Sequence, residues 1–150
     1  MIEQMVVYGL LIITFILVSM YNFKIRYECI YPVRLTKPRI IISIIIPFIF
    51  CFIAYIGGNL WHYYILALVA AICIISSIVG EGIHEKGIYY YPGKRLIATL
   101  AKWEDIKDIK VDMSKNQLKS FKNTKTNIRI YTDQYYSLEG IVAIKKFIEG

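Results

Sequence analysis

The sequence has few of the residues that enzymes use for catalysis. Its only histidines and cysteines are His62, His84, Cys29, Cys51 and Cys73. An HExxH zinc site needs a second histidine four residues after His84, where this chain has Ile88. The odd cysteine count and the absence of a CxxC pair provide neither a disulfide framework nor a zinc site. We therefore predict no enzyme activity, no metal and no cofactor.

Charge is missing from three long stretches. Residues 5–21, 40–56 and 60–79 contain no aspartate, glutamate, lysine or arginine and only one histidine, His62, and 57% of the whole chain is hydrophobic. Each stretch is long enough to cross a hydrocarbon core of about 30 Å. We predict three transmembrane helices within residues 1–80. Because transport usually needs charged groups at membrane depth, their absence counts against a transporter or channel.

Positive charge is also absent before the first stretch. Residues 1–4 contain Glu3 and no lysine or arginine, and no small-residue cleavage site follows the stretch, so we predict an uncleaved anchor. The loop 22–39 carries five basic residues against one acidic residue, whereas residues 57–59 carry no charge. The positive-inside rule then predicts an N-terminus outside and a C-terminal domain in the cytoplasm, at the plasma (inner) membrane.

Small residues recur along the third predicted helix. Ala70, Cys73, Ser77 and Gly80 follow one another at intervals of three or four. Such stripes let helix backbones approach closely in lipid. The stripe could pack against the chain's own helices, or against a second copy or a partner membrane protein.

The stretch "FKIRYECIY" at 23–31 fits two structures. Its aromatic residues alternate with charged ones, which is typical of a strand. Phe23, Tyr27, Ile30 and Tyr31 also fit one face of a helix that continues the first span. Pro32 ends either version. We favour the strand narrowly, and such a strand could join a sheet formed by the tail.

Residues 81–150 change to a β pattern. We predict a hairpin with strands at 87–91 and 94–103 around a Pro92-Gly93 turn, a turn at 103–105, and strands near 106–113, 118–121 and 128–132. A terminal amphipathic helix is predicted at 137–149, with Ser137 as its N-cap. The fold class is therefore three transmembrane helices plus a small α+β domain, an antiparallel meander of about five strands closed by a helix.

The glycine-rich stretch "IVGEGIHEKGIYYYPGKRL" at 78–96 lacks the phosphate-binding patterns. The spacing after Gly80 and Gly82 breaks the GxGxxG fingerprint, and Ile88-Tyr89 replace the Lys and hydroxyl residue of a P-loop. We interpret this stretch as the junction between the membrane helices and the following domain.

Three segments of the tail, "EGIHEKGIYYY", "WEDIKDIKVD" and "SLEGIVAIKKFI", resemble the pleckstrin-homology-like (YcxB-like) domains that follow membrane helices in small bacterial proteins. The resemblance covers about 65–70 residues and implies a binding module without a named site. Such a barrel has about seven strands, so with five predicted strands either the fold is truncated or segment 23–31 adds one.

We therefore predict a non-enzymatic membrane protein, a regulatory or accessory subunit, whose cytoplasmic domain binds anionic lipid or a protein partner. That partner would be a membrane protein or a second copy of the chain, and no nucleic acid is expected. The candidate contacts are Lys24, Arg26, Lys94, Arg95, Lys119 and Lys122. The alternative is an immunity protein that protects its own cell against a membrane-active peptide.

Overall fold

Three long apolar helices form the first half of the chain. The structure, a computed structural model, describes residues 2–93 and 96–149. The helices are α1 (Ile2–Glu28), α2 (Lys37–Ile56) and α3 (Trp61–Val79), and their most apolar stretches of 18 residues have mean hydropathies of 2.1, 2.5 and 2.2. All three expose large apolar side chains, such as Leu10, Ile44 and Phe48. Their length and composition are those of membrane-spanning helices, so the expectation of three long apolar helices is confirmed.

The third helix is the centre of the helical region, because α1 and α2 each pack along it. Its small residues make this packing close. In the small-residue stripe, Ala70, Cys73 and Gly80 are buried and Ser77 is half-buried. A side chain added at Gly80 would lie 2.5 Å from the Tyr91 hydroxyl and 3.1 Å from Asn22 Cβ. These residues therefore contribute to packing within the chain.

The first helix is longer than its apolar run. It continues to Glu28, so the strand that we favoured for segment 23–31 is wrong for residues 23–28. A helix of 27 residues is about 40 Å long, which carries its last turns beyond a 30 Å hydrocarbon core. The end of the same segment does pair with the tail, because the two-residue strand β1 (Tyr31–Pro32) lies antiparallel to the next strand in the sheet.

The remaining residues form two antiparallel sheets and a helix. One sheet has the order β1-β2-β3-β4, in which β2 is Gly82–His84, β3 is Gly87–Tyr90 and β4 is Thr99–Lys102. The other sheet has the order β5-β6-β7, formed by Ile106–Asp112, Gln117–Asn123 and Ile128–Tyr135. The helix α4 spans Leu138–Glu149 and closes the chain. We refer to this part, together with β1, as the β domain.

Two details differ from the predicted meander. Strand β2 was not predicted, because three residues are too few to show an alternating pattern. The predicted hairpin around Pro92-Gly93 exists as the β3–β4 pair, in which Tyr90 lies opposite Thr99. Its second strand begins at Thr99 rather than at 94, which leaves a longer connection between the strands. Lys94 and Arg95 lie outside the described residues.

The predicted turn and terminal helix agree with the structure. A short 3-10 helix covers Trp103–Asp105, and the Trp103 ring stacks on Phe147 with the centroids 4.8 Å apart. Ser137 caps α4, since its Oγ accepts a hydrogen bond from the Gly140 N–H at 3.2 Å. The predicted apolar face is only partly used, because Ile141 and Ile144 are fully buried whereas Leu138 and Val142 stay exposed.

The core of the β domain includes a residue from between the first two helices. Its buried members are Val33, Ile83, Ile88, Tyr90, Ala101, Leu118, Phe121, Tyr136, Ile141 and Ile144. Val33 is 1% exposed, and its N–H donates to the Glu81 carbonyl oxygen at 3.2 Å. The segment joining α1 to α2 is therefore part of the β domain, and the sequence boundary at residue 80 does not separate two independent cores.

Gly87 offers a test of this fold. Its φ is +157°, and a Cβ at this position would overlap the Ala101 carbonyl oxygen on the paired strand. We expect Gly87→Ala to lower the free energy of unfolding by at least about 2 kcal/mol, because both the backbone conformation and the strand pairing must shift. Thermal unfolding of the intact protein in detergent measures this loss.

Gly9→Ala is the matched control, because nothing lies within 4 Å of a Cβ at Gly9. It should unfold at or above the wild-type temperature, since alanine favours a helix by about 1 kcal/mol over glycine. A Gly87→Ala protein that unfolds at the wild-type temperature would contradict the β3–β4 register.

Candidate membrane-surface site

An arginine in the first turn of α2 joins α2 and α3 to the β domain. Arg39 Nη1 donates to the Ile78 carbonyl oxygen at 3.2 Å and to Glu81 Oε2 at 3.0 Å. Its Nη2 donates to the Asp133 carbonyl oxygen on β7 at 3.0 Å. One guanidinium therefore connects the start of α2, the end of α3 and a strand of the second sheet, and its planar fork of donors suits that geometry.

The Arg39–Glu81 ion pair is largely withdrawn from solvent. The two side chains are 20% and 12% exposed. Burial raises the pKa of Glu81 above its ordinary value of 4.5, and the positive charge of Arg39 opposes this shift only in part. The ionised pair thus has a desolvation cost, and its main effect is to fix the relative position of its elements.

A second set of hydrogen bonds holds the end of α1. Asn22 is fully buried, and its Nδ2 donates to Ser76 Oγ at 3.1 Å and to the Leu96 carbonyl oxygen at 2.9 Å. One turn later, Arg26 Nη1 donates to the Val79 carbonyl oxygen at 2.9 Å. Val79 is the last residue of α3, so Arg26 places a positive charge at the negative end of that helix.

The Leu96 bond places the β3–β4 connection beside a membrane helix. Val18, Leu96, Ile97 and Thr99 line an open cavity of about 470 Å³. Val18 lies four residues, or about 6 Å, before Asn22, inside the apolar run of α1. The side chains of Leu96 and Ile97 are 41% and 49% exposed. Two exposed apolar side chains of the β domain therefore lie at the depth where the first apolar run ends.

The predicted basic contacts have different surroundings. Arg26 does not point outward, because its guanidinium donates to the carbonyl oxygens of Val33 and Val79. Two of the lysines form ion pairs. Lys24 Nζ lies 3.7 Å from Glu28 Oε1, and Lys119 Nζ lies 2.8 Å from Asp112 Oδ2. Lys122 makes no ion pair within the described part of the chain. Lys94 and Arg95 are outside that part, and the structure brings no two of the other four predicted residues into one site.

Two other basic residues of the loop 22–39 are free of acidic partners. Arg34 and Lys37 are exposed, and neither forms an ion pair within residues 2–93 and 96–149. Lys37 is the first residue of α2, and Arg34 precedes it by three residues. Neither is among the six contacts predicted from the sequence. Their position immediately before the second apolar run was the signal that could have identified them.

Tyr91 separates two cavities next to this junction. The smaller, about 250 Å³, is lined by Arg39, Ile42, Ser77, Ile78, Glu81 and Tyr91. The larger, about 670 Å³, is lined by Tyr90, Tyr91, Pro92, Gly93 and Thr99 on one side and by Thr126, Ile128, Arg129, Ile130 and Tyr131 on the other. The Tyr91 hydroxyl is buried with no hydrogen-bond partner in the described residues, and burial raises its pKa.

His84, Glu85 and Cys29 lie in surroundings that contribute to the fold. His84 Nδ1 accepts a hydrogen bond from the Lys86 N–H at 3.1 Å in the β2–β3 turn. The adjacent Glu85 carbonyl oxygen accepts one from Trp103 Nε1 at 2.9 Å. Burial raises the pKa of the Cys29 thiol to about 11, which makes it a poor nucleophile at neutral pH. Within residues 2–93 and 96–149, no three His, Cys, Asp or Glu side chains are grouped as metal ligands.

Comparison with known proteins gave no match among family models, curated proteins or solved structures.

The raised pKa of Glu81 gives a pH dependence with a defined sign. Because the folded protein holds the Glu81 proton more tightly than the unfolded chain does, this group stabilises the fold below pH 4.5, and that contribution is lost as the pH rises through the folded pKa. Glu81→Gln removes this slope. We therefore expect its unfolding free energy, relative to wild type, to increase with pH above 4.5. Thermal unfolding in detergent across this range measures the difference.

Glu104→Gln is the matched control, because that carboxylate is 69% exposed and pairs with Lys102 at 3.5 Å. It should lack the pH-dependent gain in stability that is expected for Glu81→Gln. If the Glu81→Gln curve runs parallel to wild type, Glu81 does not have the buried environment described above.

Proposed function

We propose that this protein is a non-enzymatic membrane protein whose β domain binds anionic lipid headgroups at the bilayer surface. The domain would lie on the cytoplasmic side, as the distribution of lysine and arginine predicts. The observation that carries the proposal is the β3–β4 connection, which Asn22 holds against α1 at the end of its apolar run. A surface fixed at that depth meets lipid headgroups without any rearrangement.

The hydrogen bonds of Arg39 and Asn22 support this proposal because they fix the position of the β domain relative to the helices. Arg39 bonds to the end of α3 and to β7, and Asn22 bonds to α3 and to the β3–β4 connection. Bonds at two separate places prevent the domain from pivoting on one contact. The side of the domain that faces the bilayer is therefore fixed by the fold, and headgroup binding has no entropic cost of orienting it.

The free cations support anionic rather than neutral lipid. Arg34 and Lys37 lie at the point where the chain enters α2, and no acidic side chain in the described residues neutralises them. Each basic residue near an anionic membrane surface contributes about 1 kcal/mol. The partly exposed Leu96 and Ile97 add apolar contact on the opposite side of the junction.

The arrangement of sheets supports a pleckstrin-homology-like assignment for the domain. A four-stranded and a three-stranded antiparallel sheet are followed by one helix. Strand β1 comes from outside the tail, as in the alternative in which segment 23–31 adds a strand. We propose this fold for the β domain. It implies a binding role and leaves the ligand to the local chemistry.

Charge removal tests the lipid preference. We expect Arg34→Ala/Lys37→Ala to reduce the ratio of phosphatidylglycerol to phosphatidylcholine that co-purifies in mild detergent by up to about thirtyfold, which corresponds to about 2 kcal/mol. The protein is reconstituted in mixed bilayers of the two lipids, extracted and analysed by mass spectrometry. High salt should reduce the wild-type preference as well.

Lys115→Ala/Lys145→Ala is the control, since it removes the same charge from exposed positions on the β5–β6 turn and α4. It should keep the wild-type lipid ratio. Equal loss in both double variants would show a general charge effect, and no loss in either would show that the junction does not select anionic lipid.

The depth of the β3–β4 connection can be measured directly. We expect the extra fluorescence of Ile97→Trp to be quenched by lipids brominated on their acyl chains, because this position lies beside the membrane run of α1. Ser114→Trp, in the exposed turn between β5 and β6, should not be quenched above the wild-type background. Equal quenching of the two variants would contradict the placement of the connection.

A further inference from the structure

Strand β7 has one free edge in the part of the chain that the structure describes. It pairs with β6 on one side only. Near its C-terminal end the other side is covered, because the Tyr135 carbonyl oxygen accepts the Arg34 N–H at 2.7 Å and the Asp133 carbonyl oxygen accepts Arg39. Within residues 2–93 and 96–149, no strand pairs with this side of residues 128–132. An uncovered strand edge presents backbone donors and acceptors to any extended chain that approaches it.

The uncovered part of β7 lies along the cleft of about 670 Å³. Its opposite wall is the aromatic and proline segment 90–93 together with Thr99. Tyr131 is 80% exposed and Ile128 is 60% exposed at the rim. A free strand edge, a cleft beside it and exposed side chains for contact are the three features that strand-addition sites share.

Charge identifies the kind of chain that fits. Lys107 lies opposite Lys122 across β5 and β6, and Lys122 lies opposite Arg129 across β6 and β7. This row of three cations crosses the sheet and ends at the cleft. Like charges directly opposite one another destabilise a sheet. Arg129 pairs with Asp108, with Nη2 and Oδ2 3.6 Å apart, whereas Lys107 and Lys122 form no ion pair within residues 2–93 and 96–149. The row is therefore complementary to carboxylates.

We propose that an extended acidic peptide segment of another protein binds in this cleft as an additional strand beside β7. A second copy of this chain is a poor occupant, because pairing β7 with itself would bring the cationic rows together. A lipid acyl chain is also unsuitable, because it has no groups that could bond to the backbone of the strand edge. This site is distinct from Arg34 and Lys37 and does not depend on the lipid-binding proposal.

Two synthetic peptides test the proposal with the intact protein in a nonionic detergent. Each is a capped nonapeptide, one alternating glutamate with valine and the other alternating lysine with valine. We expect the glutamate peptide to bind, in a fluorescence polarisation assay, at least tenfold more tightly than the lysine peptide. Amide hydrogen exchange should slow at residues 128–132 when it binds. Lys122→Glu should weaken binding by about tenfold.

Lys115→Glu is the matched charge reversal, because Lys115 lies in the turn at the opposite end of the sheet, beyond the Asp112–Gln117 pair. It should leave peptide binding unchanged, and so should Arg34→Ala/Lys37→Ala. The proposal is overturned if the two peptides bind equally, if protection appears away from β7, or if Lys115→Glu weakens binding as much as Lys122→Glu. Displacement of the glutamate peptide by phosphatidylglycerol micelles would assign the cleft to lipid instead.

Discussion

The hydrogen bonds of Arg39 are the interaction on which the arrangement of the molecule depends. The helices and the β domain share a small apolar cluster, in which Ile25 of α1 and Cys29 lie with Ala98, Tyr89 and Tyr91, but apolar contact by itself has no fixed direction. Arg39 supplies the orientation, because its donors reach Ile78, Glu81 and Asp133 at once. Burial of the Glu81 carboxylate costs free energy that the ion pair offsets in part, so the pair contributes more to a defined geometry than to net stability.

The boundary predicted at residue 80, between the helices and the β domain, does not separate two independently packed units. Val33, between α1 and α2, is as deeply buried as the core residues of the strands that follow residue 80. Gly82 packs so closely on Cys29 that an added Cβ would lie 2.7 Å from its sulfur. A small domain buries little apolar surface by itself, and this one completes its core with residues from the helical half.

The elements that could be predicted from the sequence are those long enough to show a repeating hydrophobic pattern. The apolar runs predicted the three helices, and the helical spacing after Ser137 predicted α4. Strands β1 and β2 have two and three residues, too few for any alternation to be recognised. The direction of a charged side chain has no local signal at all. Arg26 and Arg34 share a basic loop, yet one caps α3 and the other faces solvent, because a partner fifty-three residues away decides the first.

Tyr91 relates the cleft to the membrane helices. It lines both cavities, and its hydroxyl lies where a side chain on Gly80 would have to be. Any ligand that fills the larger cleft therefore contacts a ring whose other end touches the last turn of α3. A larger residue at position 80 would displace this ring, and the small-residue stripe consequently serves the β domain as well as the helix packing. The glycine that ends α3 is thus required by the tyrosine that forms the wall of the cleft, a dependence between positions eleven residues apart in sequence.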